Sequence, residues 1–102
     1  MNTLLNDISE TLSIPLDQII AKGIKAFLER EIRQAELDIA DFRDKYLVAS
    51  RKELENKIKN KKIYSHPAWE DLIAWENSEK HIARLKVIID KEWENAITVQ
   101  KD

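Results

Sequence analysis

The chain has 102 residues, with 35% charged and 43% hydrophobic side chains, one glycine, two prolines, no cysteine and a formal net charge of -2. That length suits one domain, and the charge balance speaks against a general nucleic-acid binder, which is usually clearly basic. The lack of cysteine excludes disulfides, thiolate catalysis and sulfur-ligated metal, and suits a reducing compartment. Sparse turn chemistry and a mixture rich in Glu, Lys, Leu, Ile and Ala predict an all-α protein. Met1 to Asp7 carries neither a basic n-region nor an apolar h-region, so no signal peptide is expected. No apolar run approaches the roughly 20 residues of a membrane span. The expected location is therefore cytoplasmic.

Leu4, Leu5, Ile8 and Leu12 recur at helical spacing and predict a short helix over 4–12. Ser13-Ile14-Pro15 breaks it. The residue before proline avoids the α region and proline itself suits the first helical position, so a second helix is expected from Pro15. No breaker follows until Leu47, giving a long helix over 15–47, a rod of about 48 Å at 1.5 Å per residue. Its apolar positions are Leu16, Ile20, Ile24, Phe27, Leu28, Ile32, Ala35, Ile39, Phe42 and Tyr46; from Leu28 onward the gaps alternate 4 and 3, as in a heptad seam. Gly23 is its weak point, at about 1 kcal/mol relative to Ala. Glu29–Arg33 and Asp41–Lys45 are spaced for i,i+4 ion pairs.

Ser50-Arg51-Lys52-Glu53 has the pattern of a capping box and opens an elbow helix over 51–61. This stretch is basic through Arg51, Lys52, Lys57, Lys59, Lys61 and Lys62. By the same proline argument, His66-Pro67 starts a last long helix over 67–97. Leu72, Trp75, Ile82, Leu85, Ile89, Trp93 and Ala96 line one of its faces, and Trp69, Ile73 and Ile88 widen it. The simplest assembly is a long antiparallel helical hairpin. Its stripes are wider than one internal neighbour covers, so it is expected to dimerise into a helical bundle or to meet a partner.

Neither histidine has the Glu-x-x-His spacing that places two metal ligands on one helix face: Ser78 lies three residues before His81 and Ile63 three before His66. His81 reads as a solvated helix residue and His66 as a cap or packing residue. The acidic residues are interspersed with basic ones, and paired catalytic carboxylates need a desolvating pocket that long open helices rarely make. With one glycine there is no phosphate-cradling loop. No catalytic, cofactor or metal residue is expected. The basic elbow carries no interleaved aromatics of the kind that stack bases, so it reads first as a solvated linker and second as a contact for an acidic partner. Trp69 and Trp75, six residues apart, point about 120° apart on a helix, so one neighbour cannot easily cover both.

Ile14-Pro15-Leu16, Phe27-Leu28-Glu29 and His66-Pro67-Ala68-Trp69-Glu70-Asp71-Leu72-Ile73 resemble a group of small bacterial and archaeal helical proteins, similar to the antitoxin-like half of toxin–antitoxin pairs. Leu4 to Leu28 also resembles the two-helix part of ribbon-helix-helix antitoxins, without the N-terminal strand with which those proteins read DNA. The resemblance implies a non-enzymatic interaction protein that masks a toxin. The residues expected to bind such a partner are Trp69, Trp75, Ile73, Phe27 and Trp93, with Arg51, Lys52, Lys57, Lys59, Lys61 and Lys62 steering an acidic surface. The alternatives are a homo-oligomeric scaffold and, below it, a DNA-binding regulator that uses the basic elbow.

Overall fold

The computed structural model describes residues 2–92, and the regular structure among them is all helical: α1 (Asn2–Leu12), α2 (Leu16–Tyr46), α3 (Arg51–Lys59) and α4 (Ser65–Val87), which runs on as a π-helical stretch, Ile88–Glu92. Both prolines act as helix starts. The Pro15 carbonyl accepts from Gln18 and Ile19, so α2 begins one residue after the proline. Ser65 and His66 lead into α4, but His66 has extended dihedrals (φ -116°, ψ 125°), and the unbroken helix starts at Pro67 after a cis peptide bond.

The helix ends are built without glycine. Ser13, Leu47 and Lys61 each adopt a left-handed conformation (φ 56°, 53° and 57°). Each is followed by an N–H that reaches back five residues, Ile14 to Ser9, Val48 to Arg43 and Lys62 to Lys57, at 3.0–3.1 Å. These are Schellman-type stops, which normally place glycine at the left-handed residue because a Cβ costs roughly 1 kcal/mol there. Leu47→Gly is therefore expected to raise the unfolding free energy by about 1 kcal/mol, read as a higher urea midpoint at constant slope. The start of α3 follows its capping pattern with one change. Ser50 Oγ accepts from the Glu53 N–H at 3.2 Å, while the Glu53 carboxylate accepts from the N–H of Ala49, one residue before the cap, at 2.9 Å.

The heptad seam of α2 meets α4 running antiparallel, with Lys45 opposite Asp71 at one end and Glu31 opposite His81 at the other. Ile32, Ala35 and Ile39 of α2, Leu54 of α3, Ala68, Leu72 and Trp75 of α4, and Val48 in the α2–α3 link are buried. Phe42, Tyr46, Ile58, Ile63 and Ile82 pack around them. The core thus lies where α3 closes over the hairpin, at the elbow end. The Phe42 and Trp75 rings stack with centroids 6.0 Å apart and planes 20° apart.

Polar contacts fasten the same end. Asp71 accepts from Lys45 Nζ at 2.8 Å and from the Tyr46 hydroxyl. Arg51 Nε donates to Glu79 at 2.8 Å, and Lys57 Nζ donates to the Tyr46 and Leu47 carbonyls that end α2. Two expected surface pairs are replaced. Lys45 is drawn across to Asp71 rather than back to Asp41, and Glu29 lies 3.9 Å from Lys25 rather than pairing with Arg33. A partly buried acceptor with two donors holds Lys45 better than an exposed i,i+4 carboxylate, worth only a few tenths of a kcal/mol.

The other end is thin. There α1 meets α2, and none of the described side chains of α1 is buried. The molecule measures 61 × 26 × 19 Å with a radius of gyration of 20.0 Å, against about 13 Å for a compact domain of this length.

Candidate protein-interaction surface

The turn of α4 around residue 69 shows how one helix serves two environments. Its inward side carries Ala68, Leu72 and Trp75. Its outward side carries Trp69 and Ile73, four residues apart and each 47% exposed. The 120° separation of the two tryptophans is resolved by burying one of them. Trp75 is 1% exposed, enclosed by Phe42, Ile39, Val48, Leu54 and Leu72. This corrects its expected role: Trp75 is a core residue and presents nothing to a partner, because α2 and α3 together cover its whole side of α4. Trp69 and Ile73 point away from that cover.

Two further apolar side chains are exposed at this end, Leu47 at 82% and Tyr64 at 91%. Sequence reasoning passed over both. Leu47 reads as the last residue of a helix, and its left-handed conformation has no sequence signal, since neither Gly nor Asn marks the position. Tyr64 reads as a linker residue. A large apolar side chain held exposed on a backbone conformation that disfavours it departs from the local rule, and such departures concentrate at functional surfaces.

The basic elbow divides into two groups. Arg51, Lys57 and Lys59 are engaged within the chain: Arg51 with Glu79 and Glu76, Lys57 with the end of α2, and Lys59 with Glu55 at 3.0 Å. The hydrogen bond to Glu79 raises the Arg51 pKa further, and the one from Lys59 lowers that of Glu55, so these charges are mutually satisfied. Within the chain these three side chains act as fasteners, because carboxylates and helix-end carbonyls lie within reach. Lys52, Lys61 and Lys62 form no ion pair among the described residues and are exposed.

Phe27 lies at the far, thin end of the molecule and is 61% exposed. It does not share a surface with Trp69. Trp93 lies outside the described residues, as does the expected continuation of the last helix to residue 97. Between the helices an open groove is lined by Glu31, Asp38, Asn77, His81 and Arg84 among others. Its polar groups face solvent, and among the described residues no three His, Asp or Glu side chains cluster as metal ligands. His66 Nδ1 lies 3.2 Å from Glu70, on the surface. Among the described residues no helix is long and apolar enough to cross a membrane.

A family model described as Uncharacterized protein MJ0235 family matches residues 1–95. No curated protein and no solved structure matches the chain.

Proposed function

We propose, for a chain that belongs to the MJ0235 family, the role of a non-enzymatic protein-interaction module acting in the cytoplasm. The observation that carries this reading is the outward face of α4, where Trp69 and Ile73 stand half exposed directly behind a fully formed core. Aromatic anchors on a rigid helix are the side chains that dominate binding energies at protein interfaces. The rigidity comes from the contacts that Asp71 and Glu79 of the same helix make with Lys45 and Arg51. Lys52, Lys61 and Lys62 are exposed on the elbow and would favour a partner that carries acidic groups.

The finer reading is that the partner is a toxin and that binding masks it. Its support is the resemblance of the His66-Pro67-Ala68-Trp69-Glu70-Asp71 segment to antitoxin-like proteins. The test is co-expression with the product of the adjacent reading frame, followed by pull-down and growth measurement. The neighbour is expected to co-purify with the wild-type chain, and Trp69→Ala to weaken the complex about tenfold while leaving the melting temperature nearly unchanged. A toxic neighbour neutralised by this chain supports the finer reading. A neighbour that binds without toxicity supports the module alone. If no neighbour binds, or if Trp69→Ala binds as tightly as wild type, the reading is wrong.

A further inference from the structure

The turn between α3 and α4 holds a cavity of about 790 Å³, lined by Ile58, Lys61, Lys62, Ile63, Tyr64 and Ser65. That size is within the range of ligand-binding clefts. Ile58 and Ile63 are partly buried and pack against the core, so the inner apolar side is fixed in place. Lys61 and Lys62 belong to the stop of α3: Lys61 is left-handed, and the Lys62 N–H returns to the Lys57 carbonyl at 3.0 Å. Both lysines are exposed and make no ion pair among the described residues, in contrast to Lys59. Tyr64, 91% exposed, completes the apolar part of the lining. No acidic side chain lines the cavity. The turn thus sets two uncompensated positive charges beside an apolar hollow.

We infer that this cavity seats a short acidic and apolar segment of a partner protein, its apolar side chain on Ile58, Ile63 and Tyr64 and its carboxylates on Lys61 and Lys62. The inference deepens the protein-interaction reading and rests on it. Charge decides the sign of the occupant: two cations with no acidic group in the lining attract an anionic segment and repel a basic one. Exposure decides its kind. A small ligand is usually enclosed over most of its surface. A cavity bounded by a side chain as open as Tyr64 leaves one side of its occupant in water, as a peptide lying across it does. Nucleic acid fits less well, because strand binding uses cations along a track of several phosphates, and Lys57 and Lys59 are engaged within the chain. Nor do residues 93–102 reach the cavity. They follow α4 from its opposite end, and ten residues span at most roughly 36 Å, against a rise of roughly 38 Å for the helix between Pro67 and Glu92.

The test titrates the full, isotope-labelled chain with a synthetic peptide in which a pair of leucines is flanked on each side by a pair of aspartates, followed by amide NMR shifts at low salt. The peptide is expected to shift residues 58–65 with a dissociation constant below about 1 mM. The same peptide with asparagine in place of aspartate should bind at least about fivefold more weakly, and Lys61→Gln/Lys62→Gln should weaken the acidic peptide by the same factor, in the range of exposed charge pairs. Tyr64→Ala, at an exposed position, should weaken both peptides and decides the matter if the double variant fails to fold. Trp69→Ala should leave the titration unchanged. No shift at residues 58–65, shifts confined to the Trp69 face, equal binding of the acidic and neutral peptides, or tighter binding of a single-stranded oligothymidylate at these residues overturns the inference. Failure of the wider reading looks different. If a neighbour binds wild type and Lys61→Gln/Lys62→Gln equally tightly, the cavity assignment is wrong and the interaction module stands; if no neighbour binds, the module reading fails, and the peptide titration still decides what the cavity accepts.

Discussion

Trp75→Ala is expected to lower the unfolding free energy by about 3–5 kcal/mol, the range for removing a fully enclosed large aromatic. For a domain of this size that is a drop in melting temperature of roughly 15 °C or more. Total stabilities are about 5–15 kcal/mol, so the variant should be substantially unfolded near physiological temperature, measurable as lost helical signal and a lower urea midpoint. The magnitude follows from position. Trp75 is the largest fully buried side chain, it stacks on Phe42, and it touches the layers contributed by α2, the α2–α3 link and α3. Removing it opens a cavity where all three helices meet. Its indole N–H has no hydrogen-bond acceptor among the described residues, an arrangement that costs about 1–3 kcal/mol for a desolvated donor. Trp75→Phe removes that donor and keeps most of the ring, so it should cost much less than the alanine variant. If the two variants were equally destabilised, packing would not be the main contribution of Trp75.

The second large effect is expected at Asp71. Its carboxylate joins α4 to the end of α2 through Lys45 and Tyr46. Asp71→Ala leaves a half-buried phenol without its acceptor and should cost about 2–3 kcal/mol, the upper range for hydrogen bonds to a charged group. Burial pushes the Asp71 pKa up, but the hydrogen bonds from Lys45 and Tyr46 together outweigh it, and the net shift is downward. A lowered folded-state pKa means that the unfolded chain takes up the proton more readily. The stabilisation is therefore fully present above the ordinary carboxylate pKa of 3.8 and is lost as pH falls through the lower folded-state value. Tyr46 is shifted upward by burial and by Asp71, so its hydroxyl remains a donor at neutral pH. Urea midpoints measured from neutral pH into acid should fall more steeply for wild type than for Asp71→Ala, and the two curves should converge at low pH. Parallel curves would show that the Asp71 contacts do not stabilise the fold.

Much of the fold was legible because it depends on local rules. Two X-Pro steps gave two helix starts, Ser50 and Glu53 marked a third, and the 4-3 alternation from Leu28 picked out the face of α2 that is buried. The helix stops were harder. They rest on left-handed Ser13, Leu47 and Lys61, residue types that carry no stop signal. At Leu47 and Lys61 the chain direction needed to close the three-helix core overrides local preference, at about 1 kcal/mol per site. Of the expected partner-binding residues, Trp69, Ile73 and Phe27 are exposed, whereas Trp75 is interior.

What the sequence determined by itself is periodicity: which residues share a helix face, where helices begin, and that the apolar faces exceed what one hairpin covers. That information is local, because helical phase is set by 3.6 residues per turn and starts are set by prolines and caps. Only the tertiary structure decided which face is covered and which stays open. The elbow helix α3 closes over Trp75 rather than Trp69, the basic residues split into engaged and exposed groups, and Ile20, Ile24 and Phe27 are left beside an open Gly23. Those outcomes depend on how elements distant in sequence are placed against one another. A helical wheel fixes the angle of a side chain about its own axis, but says nothing about whether another helix lies in that direction.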